Sequence, residues 1–200
     1  MKYHRLSFRS KAGLTLVELM VVAAILVIVS GALIPIMSGH LSYGRDKTAR
    51  ASLNTIRDAI MGTSDTPGYL GDTGRLPATL NDLFVKPAAV PPFDRESGIG
   101  WRGPYLLNGT GQYTITSSFA PYVNTSPPDT IVLDPWGNPF VLQRSTVGTP
   151  AVNDVFARLI SAGPNGRIDT PQDFSGTPYP PPSERGDDIV LFINRSDTYP

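Results

Sequence analysis

Two hundred residues with 17 basic and 17 acidic side chains leave no net field that would attract a polyanion, which argues against nucleic acid binding. Cysteine is absent, so disulfide staples and thiolate metal sites are excluded. The charge is unevenly placed: Lys2, Arg5, Arg9 and Lys11 come first with no acid among them, and 13 basic against 17 acidic residues follow Gly13.

Behind that basic start runs an apolar segment. Leu19 to Gly39 is 21 residues without a charge, and as a helix at about 1.5 Å per residue it spans roughly 31 Å, the thickness of a hydrocarbon core. The positive-inside rule keeps the short N-terminus in the cytoplasm and sends the chain beyond Gly39 across the membrane. An ordinary secretory signal would also have a basic start, and Ser30-Gly31-Ala32 would suit its peptidase. The run is too long for that reading, however, and Glu18 stands at its head. A plain signal anchor explains length and orientation but leaves Glu18 as a cost of about 3 kcal/mol if it sat mid-membrane.

Gly13 followed by Leu14-Thr15-Leu16-Val17-Glu18-Leu19-Met20-Val21-Val22 resembles the class III signal of type IV pilins and pseudopilins. The resemblance implies that a prepilin peptidase cuts after Gly13 and methylates the new amine of Leu14, and that Glu18 is the fifth residue of the mature chain. Leu14 departs from the phenylalanine more common in that family. Pro35 falls where many members carry a proline; it lacks an N–H and can kink or locally melt a helix. In an assembled filament, the resemblance implies, Glu18 faces the N-terminal amine of a neighbouring subunit. A membrane carboxylate is tolerable there because a cation compensates it.

Beyond the apolar run, Ala49, Leu53, Ile56 and Ile60 are spaced as one face of a helix over Arg45–Met61. Gly62 and the turn-rich "GTSDTPGYLGDTG" end it. A short helix is predicted over Thr79–Val85. Strands are predicted at Gln112–Ser117, Ile131–Leu133, Pro139–Arg144, Val155–Ser161 and Ile189–Asn194. "DPWG", Asp134 to Gly137, has the residues of a type I turn. The expected fold class is α+β and pilin-like: a long N-terminal helix with a membrane-embedded first half, packed on a small antiparallel sheet. The expected organisation is a leader at 1–13, a transmembrane and assembly helix at 14–40, and a periplasmic body at 41–200.

The body resembles the major pseudopilin of the type II secretion system in "WRGPYL" (Trp101–Leu106), "DPWGNPF" (Asp134–Phe140), "SAGPNG" (Ser161–Gly166) and "DDI" (Asp187–Ile189). Residues Leu107–Val132 and Arg167–Gly186 are longer than the family pattern. The resemblance implies a structural subunit of the inner membrane, drawn into a periplasmic filament that drives protein export. Its partners would be copies of itself, other pseudopilins, the prepilin peptidase and an inner-membrane assembly platform. It also implies a calcium site built from the carbonyls of Ala162 and Arg167 and the side chains of Asn165, Asp187 and Asp188. Asn165 replaces the usual aspartate there, and Asp169 or Asp173 could restore the lost charge. Calcium suits such a set because it takes six to eight oxygens on a bent loop.

An enzyme finds little support. The histidines are His4 in the leader and His40 at the membrane exit, which leaves the body no imidazole base. "GIGWRG", Gly98–Gly103, matches a dinucleotide glycine pattern, but Pro104 follows and no helix is predicted to open there. A pilin or minor pilin of a surface fibre remains a rival reading. So does a membrane-tethered periplasmic binding domain, which would show a deep pocket with convergent polar groups.

Overall fold

The computed structural model describes residues 13–144, 157–172 and 182–193, with the side chains of 31–41 and 182 outside that description. Helix α1 covers Leu16–Met61, 46 residues. Its polar residues bond back along the helix: Thr48, Asn54 and Thr55 each donate to a carbonyl four residues earlier. Gly62 ends it. The Gly62 N–H reaches the Asp58 carbonyl at 2.8 Å, and φ of 85° suits a residue without Cβ at the helix C-terminus. A Cβ there would lie 2.4 Å from the Thr66 carbonyl oxygen.

The chain divides into two compact units, Met1–Tyr43 and Gly44–Pro200. In the second, Ala49, Leu53, Ile56 and Ile60 are all buried, as their spacing predicts, and they join one core cluster. The "GTSDTPGYLGDTG" run holds more order than its turn residues suggest, since Gly68–Thr73 forms a short helix, α2, that buries Tyr69. The helix expected over Thr79–Val85 is a 3-10 turn at Leu80–Leu83. Thr79 and Asp82 cap it reciprocally, each side chain taking the other's backbone N–H.

Three strands form an antiparallel sheet in the order β1-β2-β3: β1 Val141–Gln143, β2 Arg158–Ser161 and β3 Ile189–Phe192. Val141 pairs with Ile160, and Leu159 with Leu191. Each lies inside a longer predicted strand; residues 155–156 and 194 are outside the described residues. The "DPWG" turn forms, with the Gly137 N–H 3.0 Å from the Asp134 carbonyl oxygen.

Two predicted strands are corrected. Gln112–Ser117 has no ladder, and Ile131–Leu133 makes only single bridges, Thr110 to Ile131 and Leu133 to Pro139. The period-2 alternation of the sheet explains where that segment goes. Phe140, Leu142, Leu159, Leu191 and Ile193 point to the cluster that contains α1. Val141, Ile160 and Val190 point the other way, onto Phe119, Val123 and Ile131. The long Leu107–Val132 segment therefore covers the sheet's second face, which is why β1 and β2 are buried at every position.

Candidate functional site

The N-terminal segment is built around one capping contact. The Glu18 N–H donates to Thr15 Oγ1 at 3.2 Å, the bond an N-cap threonine makes three residues into a helix. Thr15-Leu16-Val17-Glu18 is thus also a capping-box pattern, a local reason for threonine and glutamate here that the family resemblance does not raise. Glu18, in the first turn of α1, also suits the positive end of the helix dipole. Gly13 and Leu14 precede α1 and are exposed. A Cβ added to Gly13 would meet nothing within 4 Å, and its φ is not positive. The chain itself therefore has no steric need for glycine at that position. From Leu14 to Val29 the large apolar side chains stand exposed, Val27 and Ile28 at 72%. Pro35 lies within the α1 backbone, and its side chain lies outside the described residues.

Residues 8–34 match the prokaryotic N-terminal methylation motif. The chain carries a prepilin-type N-terminus. The motif marks chains that are processed by a prepilin peptidase, anchored in the inner membrane by this segment with the remainder in the periplasm, and assembled into filaments. With the N-terminal helix and the three-stranded antiparallel sheet, the motif makes the chain α+β and pilin-like, a class that is generally structural rather than enzymatic. No curated protein and no solved structure matches the chain. Among the described residues no helix is long and apolar enough to cross a membrane; the apolar run continues in sequence to Gly39, and the side chains of 31–41 are not among them.

The second site joins two loops of the body. The Asn165 N–H donates to Asp187 Oδ2 at 2.9 Å. Asp188 Oδ2 accepts from the Asp169 and Thr170 N–H groups and from Thr170 Oγ1, at 2.9, 2.7 and 2.7 Å. Gly163 makes this closeness possible: its φ is 63°, and a Cβ would sit 2.4 Å from the Asp187 carbonyl oxygen. Beside them, Ser161 Oγ at the end of β2 donates to Asp134 Oδ2 of the "DPWG" turn at 2.7 Å. Asp188 is partly buried, and that burial pushes its carboxyl up to about 6 against the hydrogen bonds that would lower it.

The structure brings Asp187 against the backbone of Asn165, with Asp188 next to it. Asn165, however, is already engaged, its Oδ1 accepting the Arg167 N–H at 2.6 Å and its Nδ2 donating to Asp169 Oδ2 at 2.7 Å. Asp169 accordingly belongs to the cluster, packed where a Cβ on Gly186 would strike it; Asp173 lies outside the described residues. Among the described residues no group of three or more His, Asp or Glu is arranged to hold a metal. The oxygen-only donor set nonetheless fits a calcium ion in one respect: Asp188 Oδ1 is buried and has no hydrogen-bond partner.

"GIGWRG" carries a bend at Gly100 and an isolated bridge from Trp101 to Pro92. The Trp101 N–H donates to the Pro91 carbonyl, the Gly100 N–H donates to the Asp72 carbonyl, and no helix follows. Sequence reasoning missed the buried pair Arg158 and Gln143, which face each other across β1 and β2. Arg158 Nε donates to Gln143 Oε1 at 2.5 Å, Arg158 Nη2 donates to the Pro171 carbonyl, and Gln143 Nε2 donates to the Thr170 carbonyl at 3.0 Å. A charged residue inside an otherwise apolar strand was the available signal.

Proposed function

We propose that this prepilin is a structural subunit of a type II secretion pseudopilus. After cleavage at Gly13 and methylation of Leu14, it stacks helix against helix with copies of itself and with other pseudopilins, on an inner-membrane assembly platform, to drive protein export. The observation that carries the filament reading is the division of α1: exposed apolar side chains from Leu14 to Val29, and buried ones at Ala49, Leu53, Ile56 and Ile60. One half is satisfied by the body. The other needs lipid or neighbouring helices, because water would not tolerate so large an apolar surface. The four matching body motifs favour a secretion pseudopilin over a surface-fibre pilin. The membrane span is residues 14–40, and the body from 41 onward is periplasmic.

Glu18 supplies the test. A lone carboxylate is costly in a single inserted subunit and compensated beside the Leu14 amine of a neighbour. Glu18→Ala should insert normally and fail to form filaments, scored by membrane fractionation and by electron microscopy of sheared filaments. A variant that assembles like the wild type removes the pairing from the proposal. Loss of exoprotein secretion in a deletion strain, without loss of a surface fibre, distinguishes the pseudopilus from a pilus.

Calcium is the proposed ligand of the loop pair. Ala162 and Arg167 would contribute carbonyls, and Asn165, Asp187 and Asp188 side-chain oxygens. Bound there, the ion supplies positive charge that compensates adjacent aspartates and fastens the 161–170 loop to the start of β3. The chain's own part is the frame: backbone N–H groups hold one oxygen each of Asp187 and Asp188, which leaves the buried Asp188 Oδ1 for the cation.

A further inference from the structure

Arg45, Lys47 and Arg50 open the second unit. All three are exposed, and among the described residues none is in an ion pair. One acid stands among them, the half-buried Asp46. The unit as a whole has the opposite balance, with 13 basic and 16 acidic residues from Gly44 to Pro200. A local excess of cations therefore occupies the end that follows the apolar run, in a unit that is otherwise acidic. The three cations do not share one face. At about 100° per residue, Arg45 lies about 160° round the helix from Lys47, and Arg50 about 60° from Lys47 in the opposite sense. A protein partner touches one side of a helix, whereas a layer of lipid headgroups surrounds it. Cations spread round the helix at one level suit the second.

We propose that Arg45, Lys47 and Arg50 bind the phosphates of anionic phospholipids in the leaflet through which the chain leaves the membrane. The inference rests on the membrane span proposed above, whose apolar run ends at Gly39. Arg50, the furthest of the three, follows Gly39 by 11 residues, roughly 17 Å of helical chain. Helix side chains lean toward the N-terminus, the direction in which the membrane lies in sequence, and the long stems of lysine and arginine let their heads reach back to a headgroup. Tyr43, the last residue of the first unit, is exposed, four residues past Gly39, where a ring with a polar tip suits the headgroup level. Processing gives the site its use. Cleavage after Gly13 removes Lys2, Arg5, Arg9 and Lys11 together, so every remaining lysine and arginine lies beyond the span. The cations at 45, 47 and 50 are then the side-chain charges left to fix the depth of the mature subunit against headgroups. Each such residue near an anionic surface contributes about fivefold, and three together up to about a hundredfold, in preference for anionic lipid.

The chain has no cysteine, so Thr48→Cys, at an exposed position among the three cations, takes a single fluorophore in the full-length protein. The labelled chain is reconstituted in phosphatidylcholine vesicles with a trace of phosphatidylglycerol or phosphatidylcholine that carries an energy acceptor on its acyl chain. Phosphatidylglycerol should gather round the label about tenfold or more over phosphatidylcholine. The preference should collapse in molar salt, where the Debye length shrinks to about 3 Å. Arg45→Gln with Lys47→Gln and Arg50→Gln should abolish it, and Arg45→Lys with Arg50→Lys should keep it. Equal transfer from the two lipids in the wild type overturns the site, as does a preference that survives in the glutamine variant. Equal transfer together with loss of filaments in the glutamine variant would assign the cations to a neighbouring subunit instead. A wild-type chain released from the vesicles by an alkaline wash would overturn the membrane span itself, and this site with it.

Discussion

Asp188 offers the most quantitative test of the loop pair. Its carboxyl is pushed from the ordinary 3.8 up to about 6, with burial the largest cause. An acid with a higher folded than unfolded pKa binds its proton more tightly when folded. Its stabilising contribution is therefore complete below the unfolded value and is lost as pH rises through about 6. A shift of two units corresponds to about 3 kcal/mol, of which about 2 kcal/mol is regained on acidifying from pH 7.5 to 4.5. For a body of this size that is a rise of roughly 4–8 °C in Tm. Other carboxylates titrate over the same range, so the quantity to measure is the difference between wild type and Asp188→Asn. The variant keeps an acceptor for the Thr170 groups and cannot ionise. Thermal melts of the soluble body from Gly44, in chelator, should show wild type gaining on the variant as pH falls. A difference that stays flat over that interval refutes the burial argument. Excess calcium should reverse the trend, since a bound cation lowers the carboxyl pKa and stability is then lost as pH falls. At a hundred times its dissociation constant the ion should add about 2.7 kcal/mol at neutral pH. A wild-type melt unmoved by millimolar calcium or by chelator removes the metal from the proposal and leaves the backbone N–H groups as the whole of the frame.

Gly13→Val should leave an uncut precursor without altering the fold, because a side chain at residue 13 meets nothing; mass spectrometry of wild type should find methylated Leu14, and an N-terminus near Ala32 would refute prepilin processing. Phe119→Ala should destabilise the body by about 3–5 kcal/mol in denaturant titration, since Phe119 is 1% exposed in the second core; a loss below about 1 kcal/mol would mean the Leu107–Val132 segment is a loosely attached loop. Gly163→Ala should cost stability through both its positive φ and the contact with the Asp187 carbonyl, and should weaken any calcium response more than Gly44→Ala, where the added carbon meets nothing.

The methylation motif of residues 8–34 was legible in the sequence because its determinants are local. A basic start, an unbroken apolar run and one acid at its head form a pattern along the chain, with no fold needed to assemble it. The buried face of α1 was equally plain, since the spacing of Ala49, Leu53, Ile56 and Ile60 is set by the helical period alone. The three strands were found where apolar runs meet turn residues, though each came out shorter than predicted. What tertiary structure decided is what lies against what. β-like composition placed strands at Gln112–Ser117 and Ile131–Leu133, yet tyrosine, isoleucine and valine serve as well in an irregular cover whose side chains pack on a sheet, and only the apolar second face of β1-β2-β3 makes that use favourable. The same holds at the loop pair. Asp187, Asp188 and Asn165 were visible as residues, but Asp169 joins them, Asn165 bonds to it, and one Asp188 oxygen is left buried without a partner. Those outcomes depend on how closely two loops some 20 residues apart can approach, which the glycines at 163 and 186 permit and which no local pattern encodes.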